Sequence, residues 1–251
     1  MPTTNIVPPP VETASATAEV ARWVVATTAR LQEQGRGWLD ALAPDGIFVP
    51  GEHYPEADVW DPETHAQWFF HAHEEGGGFP GEVGHFHTFL GQAGMRPGTM
   101  PLVLPEMALA GSPIADPAAA AGTHRSRRDR GVFSHLIGIS IDAAGIPLGL
   151  FTTNRWVTGE TWYRGADVVR MLDRFDFTGA GPHPLIDAWL TALFRLLRQD
   201  LIALIEERDR VVMDWRQRRA QHRHVFDDRR LVVPSAVGVD FLTLLARHGG
   251  V

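Results

Sequence analysis

The spacing of apolar residues divides the chain into a helical start, a strand-rich middle and a helical end. Residues 11–35, VETASATAEVARWVVATTARLQEQG, put Val20, Trp23, Val24 and Leu31 on one helical stripe, with Gly35 as a stop. GWLDALAPDG continues as a short helix and turn, GIFVPG reads as a first strand, and HYPEADVWDPETH, with Pro55 and Pro62, reads as a structured loop. QWFFHAH and GHFHTFL alternate with period two around a Gly/Glu loop, which predicts a hairpin. FSHLIGISI, the turn DAAG and IPLGLFTTNRWV predict a second hairpin, with Pro147 at an edge or at the strand's first turn. ADVVRMLDRF is amphipathic. The run from His183 to Arg219 carries apolar residues at helical spacing behind Pro184, its second half dense in charge and read as a solvated extension. A last helix is expected over VDFLTLLARH, before Gly249. The pattern predicts an α+β fold: an antiparallel sheet built from two hairpins, packed against N- and C-terminal helices. One domain over 1–251 is expected, with a flexible leader at 1–12 and a mobile excursion at 97–131, where AAAAG and RSRRDR fall.

Composition narrows the chemistry. The chain of 251 residues has no cysteine, which removes thiolate nucleophiles, iron–sulfur ligation and Cys-type zinc sites. It has no lysine either, since all 23 basic residues are arginine, so Schiff-base and Walker-lysine chemistry are excluded. A formal charge of -7 argues against nucleic acid or an anionic membrane as partner and favours a small-molecule substrate. The first residues lack the basic start and apolar core of a secretory signal, and no apolar run approaches the ~20 residues of a membrane span. The expectation is a cytoplasmic protein, with a homo-oligomer left open.

HAHEEGGGFPGEVGHFH, residues 71–87, then stands out. Residues i and i+2 of a strand share a face, so His71 and His73 project together, as do His85 and His87. With His73 opposite His85 and His71 opposite His87, all four imidazoles meet on one face, while a slip of one residue would separate the pairs. Two readings are open: a metal site, or a hydrogen-bonded histidine and aromatic core. The metal reading explains four crowded imidazoles more economically, because each would otherwise need its own donor and acceptor. A sulfur-free donor set suits a divalent transition metal, iron or zinc among them. Glu74, Glu75 and Glu82 flank the pairs as sources of compensating charge. His65 and Glu82 are the candidate catalytic proton carriers, and His135, at the start of the second hairpin, is a further candidate member.

Two segments are candidate pocket walls. TTNRWVTGETW gathers Asn154, Arg155 and Trp156, where the arginine could clamp a carboxylate or phosphate beside an aromatic face; the plain alternative is a capped strand end with an Arg–Glu pair. HYPEADVWDPETHAQW supplies Tyr54, Asp58, Asp61, His65 and Gln67 just before the histidine strand. GISID lacks the second glycine of a nucleophile elbow, so a serine hydrolase has little support. Together these features predict a metal-dependent enzyme with a histidine-rich mononuclear site acting on a small substrate, for which an anionic group would suit the arginine, with non-haem iron oxidoreductase chemistry ahead of a zinc-dependent hydrolase. A non-catalytic metal- or haem-binding protein is the alternative from a different class.

The run YPEADVWDPETHAQWFFHAH followed by GHFHTFL resembles an uncharacterised bacterial domain family with the signature YP-x-x-DV-x-D, TH-x-Q, HAH and GHFH, over roughly residues 53–90. That resemblance implies no activity. The His-X-His pairs also look like cupin metal motifs, but the helical C-terminal third and the lack of a second barrel motif depart from that pattern.

Overall fold

The computed structural model describes residues 14–33, 42–43, 48–72, 78–102, 132–179, 181–219 and 224–247. The middle of the chain forms one antiparallel sheet whose strands lie side by side in chain order: β1 (Tyr54–Trp60), β2 (Ala66–His71), β3 (Gly84–Gly91), β4 (Phe133–Ile141), β5 (Pro147–Phe151) and β6 (Ala236–Gly238). Helix α1 (Ala14–Glu33) precedes it, and α2 (Arg155–Thr158), α3 (Gly165–Leu172), α4 (Pro184–Leu196), α5 (Arg198–Arg218) and α6 (Phe241–Arg247) follow β5. This is the α+β arrangement that the periodicities predict, with the two hairpins joined in a single sheet.

Alternation assigns the two faces of the sheet. Trp68 and Phe70 of β2, Phe86 of β3, Ile139 of β4 and Leu150 of β5 point to one side and are fully buried with Val20 and Val24 of α1 and Trp189, Leu190 and Leu193 of α4. Burying each large side chain stabilises the fold by roughly 1.5–3 kcal/mol, so this face is the principal core. Polar contacts pin the helices to it. Trp68 Nε1 donates to Asp187 Oδ1 of α4 at 2.6 Å, and Trp189 Nε1 donates to Thr28 of α1 at 3.0 Å. Residues 67, 69 and 71 of β2 and their partners therefore look the other way, and this second face carries the histidines.

Several local expectations are corrected. Residues 48–51, the described end of GIFVPG, form no strand, whereas YPEADVW, expected as a loop, is the edge strand β1. Its Pro55 and Asp58 are accommodated because an edge strand has one unpaired side and because the pairing with β2 shifts register between Tyr54 and Val59, a bulge. The single long helix expected from His183 to Arg219 is two, divided at Leu197. The apolar stripe runs on through the break, which is why periodicity reads it as continuous. The second helix is also more than a solvated extension, since Leu201, Leu204, Ile205, Arg208 and Val212 are buried. Strand β6, three exposed residues long, carries too little pattern to be read. Pro147 opens β5 and Asp142 closes the preceding turn by accepting from the amides of Ala144 and Ile146. The leader at 1–12 and residues 103–131 of the expected excursion lie outside the described residues.

Candidate metal centre

The central strands bring the histidines together, in a register different from the expected one. His71 faces His85 and Phe69 faces His87 across β2 and β3. The shift from the expected pairing is two residues, an even number, so every side chain keeps its face. His73, with Glu74 and Glu75, lies outside the described residues. His71, His85 and His87 each offer a ring nitrogen within 4.8 Å of the other two, a group that could hold a metal ion. The tightest pair is His85 Nε2 and His87 Nε2, 3.1 Å apart. Two nitrogens bound to one metal at ~2.0–2.1 Å are separated by roughly 2.9–3.4 Å for ligand angles between square and tetrahedral, so this pair already has the spacing of metal ligands. His71 is partly exposed, and His85 and His87 are buried.

Each buried histidine is held from behind. Glu82 Oε1 lies 2.7 Å from His85 Nδ1, and Glu82 Oε2 accepts from the Phe79 amide at 2.9 Å. Burial pushes the Glu82 carboxyl up, but the hydrogen bonds from His85 and Phe79 outweigh it and hold the group below its ordinary value. With the proton on Nδ1 facing this carboxylate, His85 Nε2 carries the lone pair a metal needs. His87 Nδ1 lies 3.0 Å from His135 Nε2, and His135 Nδ1 lies 3.3 Å from the Thr153 hydroxyl. The backbone amide of His135 donates to Glu160 Oε2 at 2.7 Å. Burial raises the Glu160 carboxyl to about 8, against the attraction of Arg208 and the hydrogen bonds from His135 and Ser134. A chain of contacts thus runs Glu82, His85, His87, His135, Thr153, reaching across three strands to the end of β5.

The edge strand supplies a second carboxylate–histidine pair. Asp58 sits in the β1 bulge with φ +44°, a left-handed conformation that costs a non-glycine residue about 1–3 kcal/mol. The bulge turns its side chain onto the histidine face, where Oδ1 meets His53 Nδ1 at 2.8 Å and Oδ2 accepts from Gln67 Nε2 at 3.0 Å. The His53 ring stacks on Phe69, with centroids 3.7 Å apart and planes within 6°. Aromatic rings enclose the cluster. Phe69 lies 5.0 Å from His87, Phe151 4.8 Å from His85, and Phe89 5.2 Å from His135. Two glycines make room for them: a Cβ on Gly138 would stand 2.2 Å from the Phe151 ring, and one on Gly149 would stand 2.2 Å from the Phe79 ring.

The other expected site residues are dispersed. His65 sits at the far end of β2, six residues from His71 on a strand that rises ~3.3 Å per residue, so roughly 20 Å away. Its ring lies 5.9 Å from that of Trp60. Tyr54 packs on Phe48 with the core on the opposite face, its hydroxyl accepting from the Val49 amide. Asp61 accepts from the amides of Glu63, Thr64 and Thr178, which closes the turn between β1 and β2. Asn154 caps α2 by accepting from the Arg155 amide and donates to the Val225 carbonyl, Arg155 pairs with Asp227 at 2.5 Å, and Trp156 Nε1 donates to the Leu231 carbonyl. These three fasten α2 to residues 225–231, while Thr153 and Glu160 of the same segment reach His135 in the histidine chain. Sequence reading overlooked His53 and Thr153. Neither has a spacing that marks it, because His53 precedes β1 and is engaged by Asp58 from the bulge, and Thr153 follows β5 and meets His135 of the neighbouring strand β4.

No helix among the described residues is long and apolar enough to cross a membrane. No curated protein and no solved structure matches the chain. A family model does match, over residues 18–239, which includes every strand of the sheet and the whole histidine face; the chain belongs to the family described as domain of unknown function DUF6969.

Proposed function

We propose that this chain is a metal-dependent enzyme in which His71, His85 and His87 hold one divalent transition metal and leave its remaining positions to water and a small substrate. The observation that carries the reading is the 3.1 Å separation of His85 Nε2 and His87 Nε2, backed by the Glu82 carboxylate on His85. Two lone pairs at that distance repel unless a proton or a cation lies between them. Three neutral imidazoles leave the charge of a +2 ion uncompensated, and Glu82 supplies one negative charge through His85. Glu82 accordingly acts as the group that orients His85. An all-nitrogen set without sulfur, surrounded by Phe69, Phe89 and Phe151, favours iron and non-haem oxidoreductase chemistry, since an apolar surround shelters dioxygen and reactive intermediates from water.

The test is metal analysis of protein purified without an affinity tag and after reconstitution with iron(II). About one equivalent is expected, with loss of it in His85→Ala and His87→Ala. Less than about a tenth of an equivalent of any transition metal, with no tight binding on reconstitution, refutes the metal reading. The carboxylate-backed His85 also suits zinc, so one tightly held equivalent of zinc without metal-dependent oxygen consumption would reassign the centre to a hydrolase.

A further inference from the structure

We infer that His135 and Thr153 are a reversible anchor for the metal ligand His87: their hydrogen bonds run one way in the metal-free chain and reverse on metal binding, which presents His87 Nε2 to the ion. The inference rests on the metal reading above. A neutral imidazole has one N–H and one bare nitrogen, so in a file of rings the direction at one end sets every link. Glu82 is the fixed end. Ionised, it only accepts, with Oε1 at 2.7 Å from His85 Nδ1 and Oε2 taking the Phe79 amide. The His85 proton is therefore on Nδ1, and its Nε2 is bare. Without an ion, the 3.1 Å contact takes its proton from His87 Nε2, and the direction passes on. His87 Nδ1 then accepts from His135 Nε2 at 3.0 Å, and His135 Nδ1 accepts from the Thr153 hydroxyl at 3.3 Å. With all three buried rings neutral, every contact in the file is a hydrogen bond.

A cation held by His85 and His87 needs both Nε2 atoms bare. His85 already meets that need. His87 must carry its proton on Nδ1, which then donates to His135 Nε2, and this in turn requires the His135 proton on Nδ1, facing Thr153. The protons balance: His87 Nε2 gives one to water, His135 Nε2 passes one to His87 Nδ1, Thr153 passes one to His135 Nδ1, and Thr153 regains one from water. No ring changes charge. The file reverses because it ends on a hydroxyl, which donates in one state and accepts in the other. A carboxylate in that place would hold His135 in the Nδ1–H form in both states, and a backbone amide would forbid that form. The two ends differ accordingly, with a fixed acceptor behind His85 and a two-way group behind His87. The backbone amide of His135 donates to Glu160 Oε2 at 2.7 Å, which ties the ring's backbone in place through the change.

The experiment is long-range proton–nitrogen NMR at about pH 8, above the ordinary histidine range, on the full chain labelled with ¹⁵N-histidine, before and after one equivalent of zinc(II). Bound zinc is measured in parallel. His135→Gln assigns the His135 signal; should it not fold, Thr153→Val assigns it through the response of that ring. His87 and His135 are expected in the Nε2–H form without metal and with their protons on Nδ1 once zinc is bound, while His85 keeps Nδ1–H throughout. A His135 tautomer that zinc leaves unchanged, or Nδ1–H at His135 before zinc is added, overturns the inference and leaves the metal centre standing. So does a second equivalent of zinc with ligand-type shifts at His135. A wild-type chain that binds no zinc, iron(II) or cobalt(II) refutes the metal reading, and this inference with it. Affinity reads the same anchor. His135→Gln, whose amide can meet His87 Nδ1 in either state, should bind zinc within about tenfold of wild type, and His135→Leu should lose ~10- to 100-fold; equal affinities in the two folded variants overturn the role of His135.

Discussion

Replacing Glu82 by glutamine keeps the size of the side chain and reverses part of its hydrogen-bonding character. Both partners of the native carboxylate are donors: the Phe79 amide without choice, and His85 Nδ1 in the tautomer that leaves Nε2 able to bind metal. An amide has one accepting and one donating end, so it can satisfy only one of them. If its oxygen keeps the Phe79 amide, its NH₂ group faces His85 Nδ1 and drives the ring proton to Nε2, the atom that lies 3.1 Å from His87. The amide cannot easily swing aside, because the side chain is folded against Gly78, where even a Cβ would stand 2.1 Å from Oε2. The variant therefore loses a charge-assisted bond and must return the His85 ring proton from Nε2 to Nδ1 before Nε2 can bind metal. A loss of ~10- to 100-fold in metal affinity is expected, which is about 1.4–2.7 kcal/mol. Competition of zinc(II) or cobalt(II) between the protein and a chromophoric chelator measures it, with far-UV circular dichroism to confirm the fold. Affinity within twofold of wild type in a folded variant would refute the orienting role of Glu82.

Other expectations follow from groups elsewhere in the molecule. Burial pushes the Asp187 carboxyl up to about 6 despite the hydrogen bond from Trp68, with Asp61 adding to the rise. A folded-state value above the unfolded one makes this group's contribution fully present below about pH 4 and lost as pH rises through about 6, a change of about 3 kcal/mol. Asp187→Asn should remove that slope from urea unfolding between pH 4 and 7, and an unchanged slope would show that the carboxyl is not the source. Gly138→Ala forces a Cβ into the Phe151 ring, which abuts His85 and His87, so a destabilisation of about 1–3 kcal/mol with weaker metal binding is expected in thermal melts and chelator competition. Arg208 is 2% exposed, lies 4.3 Å over the Trp162 ring and donates to the Tyr163 carbonyl and Asp209. Arg208→Met should cost about 1–3 kcal/mol in denaturant unfolding, because the Tyr163 carbonyl and Asp209 lose a donor, and a midpoint close to wild type would count against a structural role for the buried guanidinium.

Local pattern was enough to identify β2, β3, β4 and β5, because each alternates strictly enough to bury one face, and enough for α1, α3 and α6, whose apolar stripes repeat at helical spacing. It also placed His85 and His87 on one face, and His71 joins them because the observed register departs from the expected one by an even number of residues. The precise pairing was not legible. Twelve residues, 72–83, separate β2 from β3, too many for a two-residue turn to dictate the register, and the rings packed across the sheet hold it instead. Strand β1 was hidden behind Pro55 and Asp58, which an edge position and a bulge accommodate. The histidine face was therefore written into the chain as a local period of two. Tertiary structure alone decided what surrounds it: the bulge that turns Asp58 onto His53, the strand pairing that brings His135 and Thr153 behind His87, and the glycines that let aromatic rings close around the cluster. Each of these depends on how the strands pair and bulge, which no local periodicity encodes.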